Sequence, residues 1–210
     1  MTQPAPRPAT VARRLQKEYP DAECSLPHTN NFQLLVAVML SAQCTDVRVC
    51  MVLPDLFAKA SDAKEMAKLT FAEIKKLISS VGLTNSKAKN IKKTSEILVQ
   101  QHDGEVPNNI EDLIKLPGVG RKTANVVLGV AFGIPSLVVD THVTRICNLL
   151  GLTHSRNAEV IEKEISANLP KKYWTKWAHV MIYHGRAVCV ARRPNCRVCV
   201  LKDICPSANV

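Results

Sequence analysis

The sequence predicts an all-α protein of on the order of ten helices, and three observations carry that prediction. Apolar residues recur three and four positions apart in segment after segment, as in Ile110, Leu113 and Ile114, and again in Val143, Ile146, Cys147 and Leu150. Helix starts and stops punctuate these segments, with Asn109 and Thr70 placed to cap and Pro20, Pro117, Gly151 and Pro170 placed to terminate. No alternating polar and apolar pattern competes over any length; only Ser136 to Val139 could be extended.

Taken in order, Met1 to Thr10 is Pro-rich and polar and reads as a mobile tail, after which Thr10 can cap a helix that runs through Glu18 until Pro20 halts it. Phe32 to Leu40 is apolar on almost every side, which marks a central buried helix. Ser41-Ala42-Gln43-Cys44-Thr45-Asp46 leads into another helix, expected to turn Val47, Cys50 and Met51 inward. Thr70 and Glu73 make a capping box ahead of Ile74, Leu77 and Ile78, and Gly82 is expected to end that helix. A lysine-rich helix follows from Ser86 to His102. Beyond the central hairpin described below, the segments Ala158 to Leu169, stopped by Pro170, and Trp174 to His184, ended by Gly185, complete the helical reading.

A chain of 210 residues with 46% hydrophobic content can bury one large core or two small ones. Lys and Arg number 28 against 18 Asp and Glu, a net charge of +10, which points to a polyanionic partner. No secretory h-region is visible, and the longest apolar run, Leu34 to Leu40, is too short to cross a bilayer. The reading is a soluble cytoplasmic protein with no membrane partner, in which eight cysteines are not expected to form disulfides. No linker stands out, so composition leaves the domain boundaries open.

The stretch around which the chain is organised is Leu116-Pro117-Gly118-Val119-Gly120-Arg121-Lys122. Pro117 must stop the helix begun behind Asn109, and Ala124, Val127, Leu128, Ala131 and Phe132 restart the helical period at once. Gly118 and Gly120 permit positive φ and let a ligand come close to the backbone. The amides of Gly118, Val119 and Gly120 lie just before a helix start, where N–H groups and the positive dipole end attract anions, and Arg121 and Lys122 add full charge. Such a helix-hairpin-helix grips phosphate; a glycine turn alone would equally suit an ordinary αα-hairpin. After Leu137-Val138-Val139 comes Asp140, at or near the N-cap of the Val143 helix. Capping alone is one reading of that residue.

Cys189, Cys196, Cys199 and Cys205 form C-x6-C-x2-C-x5-C at the C-terminal end. Four thiols so close in sequence suit a metal centre, zinc or iron–sulfur, and only one CxxC is present where structural zinc usually uses two. The intervening Arg192 and Arg193 would be presented to a phosphate backbone by a loop pinned at both ends, or would simply be solvated. Cys24, Cys44, Cys50 and Cys147 are scattered and read as inert core residues.

LPGVGRKTANVVLGVAFG followed by VVDTHVTR resembles the helix-hairpin-helix DNA glycosylases, and within them the endonuclease III family. The resemblance covers nearly the whole chain after about residue 10. It implies that Lys122 and Asp140 form the active pair, and that the four C-terminal cysteines hold a [4Fe–4S] cluster. It further implies an all-α architecture of two interleaved helical domains: a six-helix barrel with the helix-hairpin-helix over 24–133, and an iron–sulfur cluster domain from 1–23 and 134–210. DNA would lie in the cleft between them. Gln43, in LSAQCTD, matches the glutamine pushed into the gap left by a flipped base, and Leu83, in VGLTNSKA, matches the residue wedged into the opposite strand. Cys44 and Thr84 depart from the residues commonest in those motifs, which bears on damage preference and not on the reaction.

Gly118, Val119, Gly120, Arg121, His142, Arg192 and Arg193 complete the expected DNA contacts, with a capping-turn role equally open for His142. A lysine attacks C1′ only as the neutral amine, a form that the positive helix start and Arg121 favour. The expected activity is that of a monomeric bifunctional glycosylase and abasic-site lyase for oxidised pyrimidines, working on double-stranded DNA in the nucleoid of a bacterial cell. A monofunctional adenine glycosylase would share the fold, but Lys122 and the end at Val210 count against it. A non-catalytic DNA-binding module or a redox sensor would have no need of Asp140.

Overall fold

The computed structural model describes residues 4–209. In chain order its helices are α1 (Pro8–Glu18), α2 (Asn31–Ser41), α3 (Asp46–Lys59), α4 (Ala63–Lys68), α5 (Phe71–Leu77), α6 (Thr84–Gln101), α7 (Ile110–Leu113), α8 (Arg121–Ala131), α9 (Thr141–Leu149), α10 (Ala158–Asn168) and α11 (Trp174–Ala187). Two 3₁₀ turns, Lys171–Tyr173 and Cys196–Val198, complete the order, and no strand occurs among the described residues. None of these helices is long and apolar enough to cross a membrane. The chain divides into two compact units, Ser25–Gly133 and Met1–Cys24 with Ile134–Val210.

In the Ser25–Gly133 unit, α2 is the centre. Every residue from Phe32 to Leu40 is buried, and α2 packs against α3, α6 and α8. Its start is fixed by Asn30, whose side chain accepts from the Gln33 amide at 2.9 Å. α3 buries Val49, Val52, Leu53 and Leu56, whereas Val47 and Met51, expected inward, are exposed. The helix carries two apolar stripes on nearly opposite sides, and packing selects the one with two leucines. The capping box of Thr70 and Glu73 is present, but α5 ends at Leu77, five residues before Gly82. Sequence reading passes over α4, a lysine-bearing single turn and a half capped by Asp62 that buries only Ala63 and Met66.

In the other unit, α11 lies against α1 and α9, and α10 against α1. The expected mobile tail lies, for Met1–Gln3, outside the described residues; from Pro8 the chain is helical. Thr10 is therefore inside α1, not its cap: Pro8 takes the first helical position, where its missing N–H costs nothing. Gly185 does not end α11. The helix continues to Ala187, because the glycine is required by close packing: a Cβ there would sit 2.5 Å from His142 Nδ1 and 3.0 Å from Arg145 Nη2. Val143, Ile146, Cys147 and Leu150 are all buried, and Gly151 (φ +68°) follows the end of α9. The extended segment Ser136–Val139 is buried and leads straight to Asp140.

Candidate functional site: a hairpin, a capped aspartate and a cysteine pocket

The hairpin joins α7 to α8 as tightly as the sequence requires. Gly118 has φ +79°, and a Cβ on it would stand 2.6 Å from Asn90 Nδ2, so only glycine fits on both counts. Thr94 Oγ1 donates to the Pro117 carbonyl at 3.0 Å and holds the turn to α6. Gly120 differs. Its φ of −88° is ordinary, nothing lies within 4 Å of where its Cβ would be, and it serves as the N-cap of α8 with no side chain to cap the helix. Val119 departs from expectation, since its amide donates to the Leu116 carbonyl at 3.0 Å and its side chain is buried; the amide is spent inside the turn. Lys122 is exposed in the first turn of α8, next to exposed Arg121.

Asp140 is the N-cap of α9, its Oδ1 accepting from the Val143 amide at 2.8 Å. The capping reading is thus correct as far as it goes, and a carboxylate has a second oxygen with which to act. His142 is half-buried against Gly185, with Arg145 Nη2 3.5 Å from its Nδ1. Arg145 also donates from Nη2 to the carbonyls of Cys189 (2.6 Å) and Gly185 (3.2 Å), which ties α9 to the first cysteine of the C-terminal set.

Gln43 and Leu83 are both exposed, and both hold positive φ (53° and 59°) without being glycine. Such a conformation costs on the order of 1–3 kcal/mol and tends to mark functional positions. The structure brings the two loops together: the Gln43 carbonyl is 3.8 Å from the Cβ position of Gly82, the neighbour of Leu83. Lys87 supports them from below. Its buried ammonium donates to the Leu40 carbonyl at 2.8 Å, at the end of α2, and burial pushes its pKa down. Lys87 escaped sequence reading because it sits among exposed lysines of the same helix.

Cys189, Cys196, Cys199 and Cys205 all line one pocket, whose other walls are mainly apolar, among them Ile146, Leu149, Leu150, Val188 and Leu201. All eight cysteines are free. Burial pushes the thiols of Cys189, Cys199 and Cys205 up, and the neighbouring cysteines push each of them further, so four thiolates would repel one another unless a cation lay among them. The donor set therefore fits a cationic, sulfur-seeking group. Among the described residues no three His, Cys, Asp or Glu side chains close to the spacing of a single metal ion. Arg192 and Arg193 are exposed in the loop after Cys189, which is closed by the Asn195 amide donating to the Val188 carbonyl at 2.9 Å.

His184, which the sequence marks only as the last residue before Gly185, lies on the buried face of α11. Its Nε2 lies 3.5 Å from Cys199 Sγ and its Nδ1 3.1 Å from the Tyr19 hydroxyl; burial, with Arg145 nearby, lowers its pKa to about 4. Of the four cysteines read as inert core, only Cys147 is fully buried, its thiol pushed up to about 12; Cys24, Cys44 and Cys50 are half-exposed.

A tight glycine hairpin before an uncapped basic helix and an aspartate-capped second helix define a class. Residues 36–171 match the model of the HhH-GPD superfamily of base excision DNA repair proteins. Endonuclease III of Synechocystis sp. is 49% identical over 93% of this chain and 90% of its own length. The fold agrees. A non-covalent endonuclease III–DNA complex matches with a TM-score of 0.89 at 42% identity, covering 95% of this chain and 94% of that one. A trapped endonuclease III–DNA covalent intermediate matches with the same score and identity over 94% and 93%. The chain belongs to the endonuclease III family.

Proposed function

We propose that this protein is a bifunctional DNA glycosylase and abasic-site lyase of base excision repair, which removes oxidised pyrimidines from double-stranded DNA with Lys122 as nucleophile and Asp140 as its partner. The observation that carries the reading is the start of α8. A helix end with no side-chain cap, reached through a glycine that leaves its surface open, offers N–H groups and dipole to a phosphate, and an exposed lysine stands in its first turn. The relatives described as bound to DNA, one of them covalently, support the same partner and the same kind of bond.

The damaged nucleotide leaves the stack at a cost of a few kcal/mol, less for a base already weakly paired. The strained, adjacent loops of Gln43 and Leu83 suit the filling of the space it vacates. The Lys122 amine attacks C1′ and the base departs with its electron pair, while the Asp140 carboxylate accepts a proton from the amine and offsets positive charge on the sugar. The C1′–O4′ bond of this adduct then opens, O4′ taking a proton to become a hydroxyl on C4′, and an imine forms between Nζ and C1′. The imine acidifies the C2′ protons, and removal of one expels the 3′ phosphate by β-elimination. One lysine thus performs both activities.

The four C-terminal cysteines would hold a [4Fe–4S] cluster, in which each thiolate binds its own iron and spacing wider than that around one ion is expected. Bound there, the cluster supplies a rigid cross-link rather than the chemistry of base removal. A loop pinned by it would present Arg192 and Arg193 to phosphates, and a DNA substrate would place the working monomer at the nucleoid.

Borohydride trapping tests the assignment. Wild-type protein incubated with abasic or oxidised-pyrimidine duplex should yield a stable protein–DNA adduct, and Lys122→Gln should yield none while still binding DNA. Trapping by the variant at the wild-type rate would make another amine the nucleophile.

A further inference from the structure

Cys199 is approached by a side chain that the reaction does not use. Its Sγ has the Leu201 amide at 3.4 Å and His184 Nε2 at 3.5 Å, both within range of N–H···S hydrogen bonds. The other nitrogen of the same imidazole, Nδ1, lies 3.1 Å from the Tyr19 hydroxyl, 165 positions earlier in the chain. Tyr19 stands at the C-terminal end of α1, its ring tilted against those of His184 and Tyr183 with centroids 5.9 and 6.3 Å apart. His184 is almost fully enclosed, on a helix face otherwise formed by Trp177, Ala178, Val180 and Met181. A leucine or phenylalanine would fill that place without the cost of burying two ring nitrogens.

The directions of these hydrogen bonds follow from the acceptor. A thiolate ligand has no proton to give, so Nε2 must carry the hydrogen. A neutral imidazole then presents a lone pair at Nδ1, and the Tyr19 hydroxyl at 3.1 Å is placed to donate to it. A donor aimed at a ligand sulfur withdraws charge from it, and hydrogen bonds to the sulfurs are among the terms that set the potential of an iron–sulfur group. We propose that Tyr19 and His184 form a relay, Tyr19 O–H to Nδ1 and Nε2–H to Cys199 Sγ, that fixes the charge on this one ligand and thereby raises the reduction potential of the iron–sulfur group and slows its loss. The inference rests on the reading of the four cysteines as its ligands. Tyr19 and His184 are positioning residues, which act through Cys199.

Tyr19 is the sharper probe. Tyr19→Phe keeps the ring contacts and removes one hydroxyl, so a packing role alone would leave the sulfur unaffected. With the relay in place, Nδ1 loses its donor, the imidazole proton is free to move to Nδ1, and a lone pair turns toward the thiolate. The experiment uses the whole iron-loaded protein, followed by its visible absorbance through an electrochemical titration and, separately, through iron loss to EDTA. His184→Phe and Tyr19→Phe should both shift the midpoint to more negative potential and speed iron loss about 10-fold or more, the usual cost of removing such a supporting partner. His184→Gln, which keeps an N–H within reach, should recover most of the wild-type potential. If His184→Phe does not fold, Tyr19→Phe carries the test alone.

Iron-loaded Tyr19→Phe with unchanged midpoint and unchanged iron loss overturns the relay. Wild-type protein that binds no iron, or one zinc in its place, overturns the cysteine reading beneath it, a result distinguishable from the first.

Discussion

The starts of α8 and α9 are the same structural event handled in opposite ways. Each is a helix N-terminus carrying a residue of the proposed reaction, α8 reached from the glycine turn and α9 from the extended segment Ser136–Val139. α9 begins at Asp140, whose own carboxylate accepts from the Val143 amide, one of the N–H groups that the helix leaves without a backbone partner. α8 begins at Gly120, which has no side chain to give, and puts Arg121 and Lys122 at a positive dipole end where no charge of that sign is stabilised. Local stability alone would favour a cap at Gly120, because open space surrounds its Cβ position. The contrast teaches that one helix start is completed by a carboxylate of the protein, whereas the other has no side-chain cap, as the proposed docking of a phosphate requires.

Replacing each group in turn sharpens the contrast, and the largest effect concerns the reaction. Asp140→Asn should slow base release by roughly 10²–10⁴, measured in single-turnover assays on a defined lesion. Because asparagine caps about as well as aspartate, its melting temperature should stay near wild type. Asp140→Ala should lose the same activity and in addition about 1 kcal/mol of stability, which divides capping from chemistry. The defects of Asp140→Asn and Lys122→Gln should not add, since the two residues act as one unit.

Next in size is the turn itself. Gly118→Ala has to hold positive φ and displace Asn90, and should cost about 1–3 kcal/mol in denaturant unfolding. Gly120→Ala, by contrast, meets nothing and should be near neutral. Gly120→Asp gives α8 the cap that α9 already has. It should leave folding unharmed or slightly improved, yet weaken binding to undamaged duplex about five- to tenfold, since an internal carboxylate competes with the phosphate for the same helix end. Wild-type affinity in Gly120→Asp would mean that no phosphate docks there.

The smallest expected effect lies in the cysteine-pinned loop. Replacing Arg192 and Arg193 together by alanine should flatten the slope of log K against log salt by up to about two, one for each phosphate lost. An unchanged slope would return the loop to solvent.

The helical class, the central position of the Phe32–Leu40 segment, the capping box at Thr70 and the hairpin were legible because each is dictated within one or two turns of chain. Periodicity, a cap residue or a glycine acts on its immediate neighbours, and the neighbours are visible in sequence. Val47 and Met51 were misjudged for the opposite reason. α3 has two apolar stripes, and the partner that chooses between them lies elsewhere in the chain.

The same division runs through the site. The sequence by itself determined Lys122 behind the glycine turn, Asp140 ahead of its helix, and the C-x6-C-x2-C-x5-C spacing. Those features are local and chemically unusual. Only the tertiary structure decided that Gly118 is shaped by Asn90 and Gly120 by nothing, that Gln43 and Leu83 stand side by side, and that Val119 spends its amide inside the turn. It also decided the contacts of buried Lys87 and His184 and of half-buried Arg145 and Tyr19, which lie beneath or beside the recognisable residues. Three of these four are ordinary helix residues in sequence, and Tyr19 follows directly on the end of α1. What sets each apart is a contact with a residue at least 40 positions away, and a pattern that repeats every few residues carries no record of such a contact.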